Sequence, residues 1–374
     1  MYNIHSHYET IFTNLKNIVT HRRVLYLSPY GSTQPENIEI IADAVAKFGA
    51  VVPEGPLYIF YDQEPIYGEF NYKLFDHIKN RFQPPFILVT TEQDSEPLDA
   101  VKEKYGWPVA YNFHHVFATH DWYRGQRFNA DFVNPDRRVL KKKYISFNRL
   151  TKGHRVYRSI LISELYKRHI LYQGYVSYWP DEFPEELREA ARLDRITMDL
   201  ANDTIDTLHS IDLATLSIDY ANTEIPNSSF VLNAVKETQE SFCFLVTETC
   251  FWEKKSHLTE KIFKPIVHRM PFVLAGPAHN LKYLRSYGFK TFDQWIDESY
   301  DDIEDPVLRL QAIVDTMEKI CQRSLSELET MLQEMQPILE HNYNLFYSNE
   351  FLDHCWGELL GNLKSAYQEV IAPK

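Results

Sequence analysis

The chain has 374 residues, 44% of them hydrophobic and 24% charged, a balance that excludes a disordered or fibrous protein and leaves room for two domains of ordinary size. Its formal net charge of −13 argues against a protein that tracks nucleic acid through phosphate contacts. No run approaches the ~18 apolar residues of a membrane span, the four cysteines (Cys243, Cys250, Cys321, Cys355) form no Cys-x-x-Cys pair, and MYNIHSHYETIF at the start has no apolar core, so no membrane span and a reducing, cytoplasmic setting are expected.

In chain order, Arg23–Ser28 (RVLYLS) predicts a strand. Pro35–Phe48 predicts a helix with Ile38, Ile41, Ala42 and Val45 on one face and Gly49 at its end. Leu57–Tyr61 (LYIFY), Phe86–Thr90 (FILVT) and Val109–Phe113 predict the next strands, with helices at Asn71–Arg81 and Pro97–Tyr105 between them. Asn129–Arg138 is polar, carries a proline and reads as a linker. The pattern then restarts with a strand at Lys143–Phe147 (KYISF) and a long helix at Gly153–His169, with Val156, Ile160, Leu161 and Leu165 inward. Trp179–Asn227 is helical in parts, without readable order. Strands follow at Phe242–Thr247 and Pro271–Ala275, and helices at Leu281–Tyr287, Pro306–Met331, Met331–Tyr343 and Glu350–Val370. Strands alternating with helices imply mostly parallel sheets.

The most informative stretch is His257–Gly276, HLTEKIFKPIVHRMPFVLAG. Thr259, Glu260 and Lys261 stand at a helix start, where a lysine and unpaired backbone N–H groups can hold a diphosphate. A neighbouring carboxylate can accept hydrogen bonds from ribose hydroxyls. The bland alternative is an ordinary surface helix start, with Thr259 as cap, Glu260 in the first turn and Lys261 solvated. Pro265 lacks an N–H, so it belongs in a first turn or kinks the helix. Lys141, Lys142, Lys143, Arg149, Lys152, Arg155 and Arg158 form a basic stretch, and Asp297–Asp305 (DESYDDIED) an acidic one that reads as a solvated loop and helix start. There is neither a Gly-x-Gly-x-x-Gly fingerprint nor a Walker-type loop, which speaks against a dehydrogenase or P-loop enzyme.

Phe242–Glu248 (FCFLVTE) followed by Leu258–Lys261 (LTEK) resembles the donor-site signature of the family 10 α-1,3-fucosyltransferases. In that family a strand ends in Phe-Glu-Asn and Tyr-x-Thr-Glu-Lys follows. Glu248, Glu260 and Lys261 match; Thr249 stands in place of the asparagine and His257 in place of the tyrosine. Tyr144–Arg158 (YISFNRLTKGHRVYR) is similar to the family's strand, turn and arginine-bearing helix. Phe60–Pro65 (FYDQEP) with Phe70–His77 resembles the segment holding its proposed catalytic glutamate. The GFKTF and DESYD segments add a likeness to fucosyltransferase-like proteins of phages and marine bacteria.

The resemblance implies an α/β protein of the GT-B class, two facing Rossmann-like domains with an interdomain cleft. Residues 1–135 would be the acceptor domain and 136–345 the nucleotide-sugar donor domain. Residues 346–374 would be a C-terminal helix able to pack back on the first. The implied activity is inverting transfer of a sugar, fucose or another hexose or pentose, from a nucleotide-sugar to a hydroxyl acceptor, a glycan. Glu64 would be the catalytic base, with Asp62 its competitor; Arg155, Arg158, Glu248, His257, Thr259, Glu260 and Lys261 would bind the donor. Two alternatives stay open, a DNA acceptor carrying a hydroxylated base and a non-catalytic glycan-binding descendant of the fold. No metal is expected. His114, His115 and His120–Asp121 are the densest histidine group, but adjacent histidines on a strand point to opposite faces. A functional reading that fits better than a metal site is a loop after the fourth strand whose Trp122 and Tyr123 offer stacking surfaces to an acceptor. The plainer reading of these rings as ordinary buried or surface aromatics is preferred to both.

Overall fold

The computed structural model describes residues 24–26, 56–81, 85–123, 125, 138–179, 182–216, 232 and 234–372. The helix expected at Pro35–Phe48, most of the linker at Asn129–Arg138 and the later part of Trp179–Asn227 lie outside the described residues. The chain forms two compact units. The first comprises Met1–Asp121, Lys255–His257 and Asn349–Lys374, and the second Trp122–Lys254 and Leu258–Ser348.

The first unit is built on four parallel strands, β1 (Val24–Tyr26), β2 (Leu57–Tyr61), β3 (Phe86–Thr90) and β4 (Val109–Tyr111), side by side in that order. LYIFY and FILVT are continuous apolar runs because both faces of these strands are covered. Successive residues of β2 serve different cores. Leu57, Ile59 and Tyr61 pack with Leu74, Phe75 and Ile78 of α1 (Glu69–Arg81) and Leu98 and Val101 of α2 (Glu96–Tyr105). Tyr58 and Phe60 pack with Ile87, Val89 and Leu359, Leu363 and Ala366 of α12 (Asn349–Ile371). The spacing of those three α12 residues puts them on one helical face. Ser95 caps α2 and Gly106 closes it in the left-handed conformation, φ 64°.

After β4 the chain enters α3 (His114–Tyr123), where a loop was expected. Thr119 returns its hydroxyl to the His115 carbonyl, 2.6 Å. Tyr123 is buried, so its ring offers no stacking surface.

The second unit is also parallel, with β6 (Gly174–Tyr178), β5 (Lys142–Asn148), β7 (Ser241–Thr247) and β8 (Phe272–Ala275) side by side in that order. Gly174 opens β6 against the Tyr144 ring; a Cβ there would lie 2.5 Å from ring carbons. The expected helix at Gly153–His169 begins as a 3-10 turn (Gly153–Arg155) and continues as α4 (Tyr157–Lys167), with Ile160, Leu161 and Leu165 buried. α5 (Phe183–Arg192), α6 (Met198–His209) and the short α7 (Val235–Gln239) lead to β7; α8 (Glu260–Val267) and α9 (Asn280–Ser286) flank β8. The helix expected at Pro306–Met331 divides into α10 (Pro306–Gln322) and α11 (Leu325–Phe346), because Ser324 and Glu327 form a reciprocal capping box. α10 packs on α4 and β8, and α11 on β5, β7 and α8.

Candidate functional site

In the second sheet β5 lies inside: β6 returns to one side of it, and β7 and β8 to the other. Strand order reverses between β5 and β7, and ligands of open α/β sheets bind beyond the strands' carboxyl ends at such a point. The residues that follow β5 and β7 are Asn148–Arg155 and Glu248–Thr249.

Buried side chains hold these two strand ends. Arg158 of α4 donates to the carbonyls of Leu150 (2.8 Å), Thr247 (2.7 Å) and Glu248 (3.0 Å). It is a bracket between the ends of β5 and β7, so its guanidinium is spent on backbone rather than turned to a ligand. Tyr157 stacks on Phe251 at 4.2 Å and donates to the Glu248 carbonyl at 2.6 Å. Arg309, buried over Phe251, donates to the carbonyls of Phe251, Gly276 and Ile303.

On that floor sits a cluster around the start of α8. Thr259 is the N-cap. The Glu248 carboxylate accepts from Thr259 N–H (3.1 Å) and Thr259 Oγ1 (2.6 Å), so it supplies the negative charge that a helix N-terminus favours. Burial pushes the Glu248 carboxyl up, and Lys261 and Thr259 offset part of that. The Lys261 ammonium donates to Thr249 Oγ1 (3.1 Å), Thr259 Oγ1 (3.1 Å) and Glu260 Oε1 (2.9 Å). Its side chain is 26% exposed, against 10% for Glu260. Pro265 lies inside α8 and not in its first turn, so Glu260 and Lys261 are helical rather than in a preceding loop.

The basic stretch divides. Lys141 pairs with Glu240 at the amino end of β5, and Lys142 and Lys143 donate to backbone carbonyls of Tyr172 and Arg323. Arg149 and Lys152 are exposed at the carboxyl end, roughly 20 Å away along the strand. Lys152 pairs with Glu182 (3.2 Å), His154 Nδ1 lies 2.9 Å from Glu253 Oε1, and Arg155 is half-buried in the 3-10 turn.

Two expected site residues stand in the first unit. Glu64 is half-buried just past β2, and Tyr67 Oη donates to its carboxylate at 3.2 Å. Its competitor Asp62 is fully buried and accepts from Asn112 Nδ2 at 2.6 Å, with His114 Nδ1 3.9 Å away. His257 also belongs to this unit, although Lys254 and Leu258 belong to the other. Its Nδ1 lies 3.1 Å from the Thr91 carbonyl and its ring 5.7 Å from that of His115. The structure thus gathers Glu248, Thr259, Glu260 and Lys261, with Arg158 behind them; His257 serves the first unit instead.

Sequence reasoning missed the residue beside His257. Lys255 is buried with Glu92, both side chains 0% exposed, Nζ to Oε2 3.2 Å. Glu92 also accepts from Ile66 N–H at 2.8 Å and from Ser95 Oγ. Lys255 donates to the Ile66 carbonyl at 3.1 Å, and Ser256 exchanges both backbone hydrogen bonds with Gln93. The only sequence signal is a Lys-Lys-Ser-His run, which reads as solvated. Among the described residues no group of three or more His, Cys, Asp or Glu could hold a metal, and no helix is long and apolar enough to cross a membrane. Comparison of the chain with protein families, curated proteins and solved structures gives no match.

Proposed function

We propose that the chain is a nucleotide-sugar-dependent glycosyltransferase of the GT-B class, similar to the family 10 fucosyltransferases. It moves a sugar to a hydroxyl acceptor, a glycan, by a single inverting displacement. The observation that carries this reading is the reversal of strand order between β5 and β7, with the partly exposed pair Lys261–Glu260 at the start of α8 after β7 and exposed basic residues in the loop after β5. In this reading the donor's diphosphate takes the place of Glu260 on Lys261, and Glu260 turns to the ribose hydroxyls. Arg155 adds a second cation at the leaving diphosphate, whose negative charge grows in the transition state. Glu248 keeps the start of α8 in place. Glu64 accepts the proton of the acceptor hydroxyl; it is the more exposed of the two carboxylates just past β2.

Titration calorimetry with GDP, UDP, ADP and CMP tests the donor half. One of them should bind, and Lys261→Ala should weaken it by about ten- to hundredfold, the equivalent of one charge-assisted hydrogen bond of roughly 1.5–3 kcal/mol. A ligand at about 100 times its Kd should also add about 2.7 kcal/mol of stability. No binding by any of the four would end the reading. For the catalytic half, Glu64→Gln should keep nucleotide affinity and lower sugar transfer by about 10²–10⁴-fold. Near-normal turnover in that variant would move the role to Asp62.

A further inference from the structure

Trp179 and Leu150 are 51% and 55% exposed. They lie on neighbouring loops, just past the ends of β6 and β5. The backbone beneath them is fixed: Trp179 N–H donates to the Asn148 carbonyl (3.3 Å), and Thr151 Oγ1 donates to the Trp179 carbonyl (3.0 Å). Arg158 holds the Leu150 carbonyl at 2.8 Å, and Lys152 pairs with Glu182 across the same two loops. A large apolar ring left half in water on a well-anchored backbone is the kind of surface that ligands cover.

Its place in the sheet says which ligand. β6, β5 and β7 are consecutive neighbours, so the end of β6 lies two strand spacings, about 10 Å, from the end of β7. Trp179 stands at the first end, exposed Arg149 at the middle strand, and Thr249, held by Lys261, at the third. An aromatic face at one end, an ammonium beside hydroxyls at the other and a guanidinium between them suit a nucleoside diphosphate laid with its base at Trp179 and its phosphates at Lys261, where Glu260 can reach the ribose. Every base has a π-face, and stacking on tryptophan does not depend on the base's hydrogen-bonding edge.

We infer that Trp179 is the stacking face for the nucleobase of a nucleoside diphosphate, with Leu150 as its apolar neighbour and Arg149 between base and phosphates. This rests on the donor reading proposed above and adds to it the groups that hold the nucleoside end.

Calorimetric titration of GDP, UDP, ADP and inorganic pyrophosphate into the full chain and into W179A and W179F tests it. Stacking worth about 1–3 kcal/mol corresponds to about 5- to 150-fold in Kd. W179A should therefore weaken the nucleoside diphosphate by that factor and leave pyrophosphate unchanged, and W179F should recover most of the loss. Nucleotide binding that ignores W179A overturns this inference and leaves the proposed function standing. So does a loss in W179A that W179F does not recover, or one shared equally by pyrophosphate. A wild-type chain that binds no nucleoside diphosphate overturns both.

Discussion

At the carboxyl ends of β2, β3 and β4, polar side chains bond to one another inside the protein. Asp62 takes Asn112, Glu92 takes Lys255, Ser95 and the Ile66 amide, and the Thr91 carbonyl lies beside the His257 ring. At the carboxyl ends of β5, β6 and β7, Arg149, Leu150, Lys152 and Trp179 are exposed, Lys152 beside Glu182, and Lys261 is partly exposed while bonded to Thr249, Thr259 and Glu260. Both sheets are parallel and packed by helices. Their strand orders differ: the four described strands of the first run β1-β2-β3-β4, while the second reverses at β5. A polar residue past a strand is therefore weak evidence of a binding site by itself. Where the groups satisfy each other they act as struts; at a reversal of strand order they have room for a ligand.

The contrast predicts different penalties at the two ends. The largest belongs to Lys255. Lys255→Ala leaves Glu92 charged and buried without its cation, which typically costs about 3–5 kcal/mol. Urea denaturation should show that loss, and Glu92→Leu with Lys255→Met should recover most of it. A Lys255→Ala loss no larger than that of Lys261→Ala would erase the distinction between the ends.

Next comes the bracket at the second sheet. Arg158→Lys keeps the charge but not the fork that reaches three carbonyls. A destabilisation on the order of 3 kcal/mol is expected, one or two charge-assisted hydrogen bonds, with nucleotide affinity falling as well because the strand ends lose their spacing. An Arg158→Lys variant of full stability that binds nucleotide more weakly would instead make Arg158 a ligand of the phosphates.

Smallest within any one pH unit is an effect the two units should share. Burial pushes His114 in the first unit and His268 in the second down to about 3; for His268, Arg138 and Lys264 add to it. The folded chain then binds fewer protons than the unfolded chain between pH ~6.5 and ~3. Stability should be full above ~6.5 and fall with pH through that window, by up to about 1.4 kcal/mol per pH unit for each histidine. Replacing either histidine with Gln should flatten the slope of that unit alone, read by hydrogen exchange of β3 or β7 amides. An unchanged slope would mean that the histidine is protonated in the fold.

The sequence made β2 and β3 readable to the residue, because a strand buried on both faces is one unbroken apolar run. β6 escaped: GYVSY opens with the glycine that the Tyr144 ring demands and carries an inward serine, so its composition resembles a turn. The α3 segment, HHVFATHDWY, has no clean apolar stripe, since it is buried on more than one side. The division at Ser324 was legible in principle, because Ser-x-x-Glu is a capping-box pattern, but an apolar periodicity that continues past it hid the signal. At the candidate site, Glu248, Thr259, Glu260 and Lys261 were found as one motif. The separate duties of Arg158 and Arg155 were not, because one helical turn of sequence does not say which arginine meets a carbonyl. Lys255 could not be read at all, since the partner that makes it a core residue is far away in sequence.

The first unit is threaded from three separate pieces of chain, and this sets the order in which it can be finished during synthesis. β2 and β3 leave the ribosome early, with Tyr58, Phe60, Ile87 and Val89 ready on one face and Glu92 at an end. The lysine for Glu92 arrives only with residue 255, and the helix that covers the face only after residue 349. At ~5–20 residues per second, the apolar face waits on the order of ten to fifty seconds beyond residue 121. The second unit, meanwhile, needs nothing beyond Ser348. That unit is itself incomplete until Ser348, so both units stay unfinished through most of that wait. β2 and β3, made early, are uncovered longest, which makes them the natural substrate for a chaperone in this protein.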